Sequence, residues 1–311
     1  MSKSVLKALI ELYRNWMPEV VRDWMFSIRN GRFLSRINES RPEIISFLES
    51  NHEGIGLEEK GIILDFIKKK GLHTFPYLDL DIENTYSLND IKKSDDGQYF
   101  AEYFGFPMYF KSQTTRKANL DYLNGLIVEQ NPKSPHCYMS GFFEINEDTI
   151  LADLGGAEGN FSLSMIDKVK KVYIFEGDPD WITTLSRTFK PFGNKVEVVP
   201  FFVSNHNSEK TITLDTFFLD KPLPNFIKID VEGHEDAVLA GGERILGISG
   251  IQLAICTYHK KNDDVKYYKF FKEKNFELEY SQRHMLFFGD FKNWQAPYFR
   301  KGVLRVKRLC T

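Results

Sequence analysis

ILADLGGAEGNFSLSM runs from Ile150 to Met165. Its first five residues read as a buried strand, the glycines at 155, 156 and 159 as a tight turn, and the apolar spacing from Phe161 as a helix. A strand that enters a glycine turn and leaves as a helix builds a nucleotide-binding loop, because the helix start presents free amides there. The dinucleotide fingerprint G-x-G-x-x-G, counted from Gly155, puts Ala157 and Asn160 where glycines are needed, which disfavours an NAD site. Asp153 stands two residues before the first glycine. A carboxylate at that strand end opposes an anionic pyrophosphate and favours a ligand with positive charge, such as the ammonium and sulfonium of S-adenosylmethionine.

Outward from the loop the chain alternates. Strands are expected over Lys171–Phe175, Lys195–Val203, Lys210–Leu214, Phe226–Val231, Ile251–Thr257, Glu277–Tyr280, Met285–Phe288 and Val303–Val306. Helices are expected over Phe161–Val169, Asp180–Phe189, Glu235–Leu246 and Asp263–Lys274. This rhythm predicts an α/β fold with a parallel sheet covered on both faces, whose ligands bind beyond the carboxyl ends of the strands.

Ionisable residues fall at those ends. KVYIFEGD closes in Glu176, about twenty residues past the first glycine, where a carboxylate can take both ribose hydroxyls; Asp178 is a nearby alternative. FFVSNHN offers Phe202, Val203, Ser204 and Asn205 for an adenine slot. NFIKIDVEGHE gathers Asp230, Glu232, His234 and Glu235 around Gly233, a density of charge that core packing does not produce. IQLAICTYHK brings His259 to the next strand end, across the cleft from Asp230, while Tyr258 alternates to the opposite face as a structural residue.

Taken together, DLGGAEGNFSL, FEGD, ITLDTF, FIKIDVEGHE and ICTYH resemble the FkbM family of S-adenosylmethionine-dependent methyltransferases, in order and spacing, from about residue 148 to 260. One departure is in the loop: the family pattern is D-x-G-A-N-x-G, and here Gly156, Ala157 and Glu158 fill its middle. The resemblance implies a class I methyltransferase, Rossmann-like sheet of seven mostly parallel strands with an antiparallel last strand. It implies O-methylation of a sugar, glycan or related metabolite in polysaccharide or secondary metabolism, with S-adenosylmethionine as donor and S-adenosylhomocysteine as product. The implied cofactor contacts are Asp153, Gly155, Gly156, Glu158, Gly159, Asn160, Phe161, Glu176, Gly177, Asp178, Val203, Ser204 and Asp230. A hydroxyl acceptor must also lose a proton, and Asp230, Glu232, His234 and His259 are the candidate bases, with His234 also a candidate helix cap. His136, in SPHCYM ahead of the first strand, and Arg300, in QAPYFRKG, are candidates for the acceptor side. Asp230 with Glu232 or Glu235 can hold a divalent cation, but no spacing demands one and no metal is expected.

Residues 1–135 form a mixed α+β region without a catalytic motif, and 136–311 the cofactor-binding domain. Val5, Leu9, Leu12, Trp16, Val20, Trp24 and Ile28 space an amphipathic helix that Pro18 breaks or restarts. Its apolar face and basic residues suit packing on the main domain, a homodimer contact or a membrane surface. GLEEKGIILDFIKKKG reads as a helix closed by Gly71, DDGQYFAEYFGFPMYFK as strands turning near Gly105, and TTRKANLDYLNGLIVEQ as a helix capped by Thr114 or Thr115. A net charge of −2 gives no field for nucleic acid. Three scattered cysteines suit a reduced, cytoplasmic compartment. No signal-peptide pattern is present, and no apolar run reaches the roughly 18–20 residues of a membrane span. A competing reading is a non-catalytic partner of a glycan-biosynthesis enzyme, docked through the N-terminal region.

Overall fold

The computed structural model describes residues 17–50, 54–80, 85–112 and 114–308. The expected N-terminal helix up to Trp16 lies outside them. Helix α1 (Glu19–Asn38) starts directly after Pro18, whose missing N–H costs nothing at a helix start. It buries only Ile37 and leaves Val20, Trp24 and Met25 exposed. Helices α2 (Arg41–Ser50) and α3 (Leu57–Lys70) follow; α3 has glutamates in its first turn, lysines in its last and Gly71 at φ 90° as its stop. A small antiparallel sheet of β1 (Lys92–Lys93), β2 (Tyr99–Tyr103) and β3 (Phe106–Tyr109) turns at Phe104–Gly105 and leads to α4 (Arg116–Glu129), capped by the Thr115 hydroxyl, which accepts from the Ala118 amide at 3.1 Å.

The second half is built on a seven-stranded sheet. Its strands in chain order are β4 (Ile150–Leu154), β5 (Lys171–Phe175), β6 (Val196–Val199), β9 (Phe226–Ile229), β10 (Gln252–Cys256), β11 (Glu277–Tyr280) and β14 (Val303–Lys307), and in space they run β11-β14-β10-β9-β4-β5-β6. Neighbours from β10 to β6 are parallel; β14 lies antiparallel between β10 and β11. Every residue of β9 and β10 is buried, as a central parallel strand covered on both faces requires. Alternation sorts side chains to the two faces: Leu151, Val172, Ile174, Phe226 and Ala254 on one, Ala152, Leu154, Phe175, Ile227, Ile229 and Ile255 on the other.

The first face carries the N-terminal region. Ile37, Ile44, Ile63, Tyr77, Ala101, Met108 and Leu123 belong to the same buried cluster as Leu151, Val172 and Phe226. Polar contacts pin the two parts: Tyr77 Oη donates to the His284 carbonyl at 2.8 Å, and Arg283 forks onto Asp79 at 2.9 and 2.8 Å.

Several expected elements differ. The strand over 195–203 breaks after Val199 at Pro200, which has no N–H for a ladder; β7 (Phe202–Val203) pairs instead with β8 (Thr211–Ile212). The helices between β4 and β9 are α5 (Asn160–Met165), α6 (Pro179–Phe189) and α7 (Leu214–Phe217). The helix over 235–246 splits into α8 (Glu235–Ala240) and α9 (Glu243–Leu246) at Gly241, where a Cβ would stand 2.0 Å from the Ser204 carbonyl oxygen. After α10 (Asp263–Glu273), β12 (Met285–Leu286) pairs with β13 (Phe299–Arg300) outside the main sheet, because Leu286 donates its amide to Thr74 of the N-terminal region. Among the described residues no helix is long and apolar enough to cross a membrane.

Candidate active site

A cleft of about 530 Å³ opens at the carboxyl ends of β4, β5 and β9. The glycine turn makes one wall. Gly155 and Gly156 both donate their amides to the Phe175 carbonyl, and Gly155 sits at φ 79° with its missing Cβ 1.9 Å from the Asp230 carbonyl oxygen. Only glycine allows β4 and β9 to end that close together. Ala157 holds φ 45° and donates its amide to Glu176 Oε2 at 3.0 Å; Glu176 Oε1 accepts from the Asp178 amide at 2.8 Å. Glu176 therefore stitches the turn to the end of β5 while lining the cleft. Asp178 caps α6 through the Asp180 amide and pairs with Lys111 at 2.7 Å. Phe175, Trp181, Phe202, Val203 and Val231 give the cleft an apolar interior, and Glu176, Asp178, Asp230 and Glu232 give it an acidic rim.

Several residues anticipated as cofactor contacts turn elsewhere. Asp153 is fully buried away from the cleft: Lys228 Nζ lies 3.0 Å from its Oδ1, and Ser162 Oγ donates to Oδ2 at 2.7 Å. Its charge is neutralised inside the sheet, so it does not supply the cleft's negative potential. Lys228 also donates to the Gly155 carbonyl at 2.7 Å. Burial favours the neutral amine, but the Asp153 and Asp230 carboxylates outweigh it and hold the Lys228 pKa above its ordinary value. Glu158 turns to α4, where it accepts from the Tyr122 hydroxyl, and burial pushes its pKa up to about 7. Tyr122 in turn stacks on Trp181 of the cleft, centroids 6.3 Å apart. Gly156 and Gly159 serve packing: a Cβ would stand 2.2 Å from Ile174 or 2.5 Å from Phe189. Gly177 makes room for the Phe202 ring, Asn160 starts α5 buried with its Oδ1 2.5 Å from the Phe161 amide, and Phe161 packs edge-on to Tyr138. Ser204 lines the cleft beside Val203; Asn205 does not.

Asp230 is the centre of a polar cluster. Tyr138 Oη donates to its Oδ2 at 2.6 Å, and Tyr258 Oη is 3.4 Å from Oδ1. His136 Nε2 stands 3.6 Å from Oδ2 and 3.0 Å from Tyr258 Oη. Burial alone would raise the Asp230 pKa; His136, Lys228 and His259 reverse this and hold it far below the usual carboxylate range. Tyr258 is thus a member of the cluster and not a residue of the opposite face. β10 ends at Cys256, and beyond it strand alternation no longer sorts the side chains.

His259 lies across from Asp230, with Nε2 3.4 Å from Oδ1. Its Nε2 is also 3.5 Å from Glu232 Oε2 and its Nδ1 2.9 Å from Glu235 Oε1. Burial lowers the imidazole pKa, but Glu232 and Glu235 overcome it and lift the value to about 10. Glu235, a possible cation ligand on its sequence, is fully buried and accepts the Val231 and Gly233 amides at 3.3 and 3.2 Å. Glu235 thereby holds the loop, while His234, the candidate cap of the following helix, occupies the N-cap position of α8 without a side-chain cap and lines the cleft.

Arg300 does not reach the cleft. Its guanidinium donates to the Tyr258 carbonyl at 2.6 Å and to Asp290 at 2.5 Å, fastening the segment after β10. His136 lines a second cavity of about 180 Å³ with Thr74, Phe75, Glu129, Tyr258 and Phe287, between the N-terminal region and the Asp230 cluster. Lys228, Tyr138 and Trp181 escaped sequence reasoning. Only Lys228 left a signal: a lysine inside the apolar run FIKI must be paired when that strand is central.

A family model described as the methyltransferase FkbM domain matches residues 97–278. No curated protein matches the chain. Among solved structures, the chain is similar to methyltransferase FkbM from Methylobacillus flagellatus KT, with 17% identity, TM-score 0.44 and coverage of 60% of this chain and 53% of that one. It thus spans about half the length of that protein. Precorrin-6y C5,15-methyltransferase from Geobacter metallireducens GS-15 gives 13% identity over 54% of this chain and 83% of that one, TM-score 0.38. An rRNA methylase from Streptococcus thermophilus gives 18% identity over 54% and 90%, TM-score 0.37.

Proposed function

The chain belongs to the FkbM family of methyltransferases, and on that premise we propose that it transfers a methyl group from S-adenosylmethionine to a hydroxyl of a sugar, glycan or related metabolite. One observation carries the reading: a single cleft holds Glu176 at the end of β5, the glycine turn it stitches, and Asp230 at the end of β9. The donor set fits the cofactor. Apolar Phe202, Val203 and Val231 suit a purine; the carboxylate of Glu176, which keeps lone pairs beyond its two amide bonds, suits vicinal ribose hydroxyls; the acidic rim suits a ligand carrying ammonium and sulfonium charge. When bound, S-adenosylmethionine supplies a methyl group activated by its positive sulfur.

The chain's own residues orient and compensate. Tyr138 fixes Asp230 Oδ2, Lys228 sits under the glycine turn, and Glu235 holds the loop carrying Glu232 and His234 at the cleft. Alignment of donor and acceptor at near-attack distance is worth roughly 7–11 kcal/mol of the barrier. Glu232 and His234 stand on the open side of the cleft, where the proton of the acceptor can leave. The acceptor reading is supported by the smaller cavity, where Phe75 and Phe287 offer an apolar face and Glu129, His136 and Thr74 offer polar atoms, the mixture a sugar ring requires. The same proposal places the enzyme in the cytoplasm, with the exposed apolar and basic surface of α1 as its contact to a membrane or a second subunit.

Calorimetric titration with S-adenosylhomocysteine tests the cofactor, and mass spectrometry of a panel of sugars and sugar nucleotides incubated with S-adenosylmethionine tests the acceptor. Failure of the folded protein to bind S-adenosylhomocysteine would remove the proposal; binding without a mass gain of one methyl on any saccharide would remove its acceptor part.

A further inference from the structure

Asp230, Glu232, Glu235 and His259 converge on the loop after β9 and the segment after β10, and no hydrogen bond joins the His259 imidazole to any of the three carboxylates. The His259 side chain is 4% exposed and that of Glu235 is 0%. His259 Nε2 is within 3.4 Å of Asp230 Oδ1 and 3.5 Å of Glu232 Oε2, yet neither ring nitrogen makes a hydrogen bond of acceptable angle, and Glu235 Oε2 has no partner either. Buried polar atoms in native proteins are almost always satisfied, so such a set asks for a missing ligand. Tyr138 donates to Asp230 Oδ2 and Tyr258 more weakly to Oδ1 at 3.4 Å, and Oδ1 also faces His259 Nε2. Glu232 is held over the cleft by the left-handed backbone at φ 52°, and Gly233 follows at φ 90°.

We propose that His259 Nε2, Asp230 and Glu232 form a divalent-cation site at the inner end of the cleft, with Glu235 as the carboxylate behind the imidazole. The spacing of each carboxylate to the imidazole fits, since two ligands about 2.0–2.2 Å from one ion at a tetrahedral angle stand roughly 3.3–3.6 Å apart, and the exposed Glu232 side chain is free to turn toward Asp230 to close the set. The carboxylate–histidine–metal arrangement needs an acid near the far ring nitrogen, and Glu235 Oε1 is 2.9 Å from Nδ1. One imidazole and two carboxylates suit a first-row cation such as Mn²⁺ or Zn²⁺; calcium requires six to eight oxygens. Among the described residues, ligand atoms of Asp230, Glu235 and His259 lie within 4.8 Å of one another, as do those of His136, Asp230 and Cys256, but in the latter group the imidazole already bonds Tyr258.

The cation's role rests on the methyltransferase reading; its binding does not. An acceptor hydroxyl on the ion loses its proton to solvent at a lower pH than in water, because the ion stabilises the alkoxide. The new O–CH₃ bond then forms as the C–S bond breaks, and the electron pair stays on sulfur as a neutral thioether.

The test uses the full chain, stripped with a chelator and titrated with Mn²⁺ while the free-ion signal is followed by electron paramagnetic resonance. One Mn²⁺ per chain is expected, bound at least tenfold more weakly by Glu232→Gln and by Asp230→Asn, and about 10–100-fold more weakly by Glu235→Gln. The Glu232 side chain is 86% exposed, so its variant keeps the fold even where Glu235→Gln does not. Absence of Mn²⁺ uptake by folded protein overturns the site, as does equal uptake by wild type and Glu232→Gln. S-adenosylhomocysteine titrated into the same samples separates the two questions: Mn²⁺ uptake without nucleoside binding keeps the cation site and removes the cofactor assignment.

Discussion

Lys228 and Asp153 are register partners on adjacent parallel strands, and Lys228 Nζ stands 3.0 Å from Asp153 Oδ1 with both side chains shut off from solvent. The same ammonium holds the first carbonyl of the glycine turn. An ion pair at the centre of the sheet therefore sets where the turn begins.

Removing one partner of such a pair strands the other charge. Lys228→Met is expected to lower stability by about 3–5 kcal/mol, and adding Asp153→Asn should restore part of that loss. Urea unfolding of the two single variants and the double variant measures it. A loss under about 1 kcal/mol in Lys228→Met would show that the pair does not carry the turn.

Gly155→Ala puts a methyl group 1.9 Å from the Asp230 carbonyl and forces a side chain into the left-handed region. A loss of more than about 2 kcal/mol is expected from the strain and the displaced strand end. Thermal unfolding of that variant beside Gly105→Ala, at nearly the same positive φ but with open space around its Cβ, isolates the steric part.

Glu176→Ala deletes the acceptor for two backbone amides and the proposed ribose contact. A lost hydrogen bond to a charged group is worth about 1.5–3 kcal/mol, so affinity for S-adenosylhomocysteine should fall roughly 10–100-fold. Calorimetry on folded protein decides, and unchanged affinity would take Glu176 out of the site.

Glu158 makes stability depend on pH in an unusual sense for a carboxylate. Its folded pKa, near 7, is above the ordinary 4.5, so the native chain holds a proton that the unfolded chain has released. This contribution is complete below about pH 4.5 and disappears as pH rises toward 7, by up to about 3 kcal/mol. Glu158→Gln should flatten that decline. Denaturation midpoints between pH 5 and 7.5, parallel for wild type and variant, would contradict it.

The sheet was readable because its strands are short apolar runs ended by glycines and acids, and Ile150–Leu154, Lys171–Phe175 and Glu277–Tyr280 have the bounds their patterns suggest. Glu176 and Asp230 were readable because a charge at the end of a central strand has few structural uses. The direction of a side chain was not. Asp153 and Glu158 both flank the glycine turn, but Lys228 on β9 draws one inward and Tyr122 on α4 draws the other away from the cleft. Such partners lie far off in sequence and leave no local trace. Tyr258 was misread for a related reason: alternation holds only while the ladder does, and the ladder releases the chain just before it.

The buried cluster that joins Ile44, Ile63, Tyr77 and Leu123 to Leu151, Val172 and Phe226 also bears on how such a chain can be rebuilt. Residues on either side of position 135 fill one interior, so the N-terminal stretch is not a detachable recognition module. Grafting the corresponding stretch of a relative would repack the protein's centre. Exchange of that stretch therefore calls for compensating substitutions across the same interior.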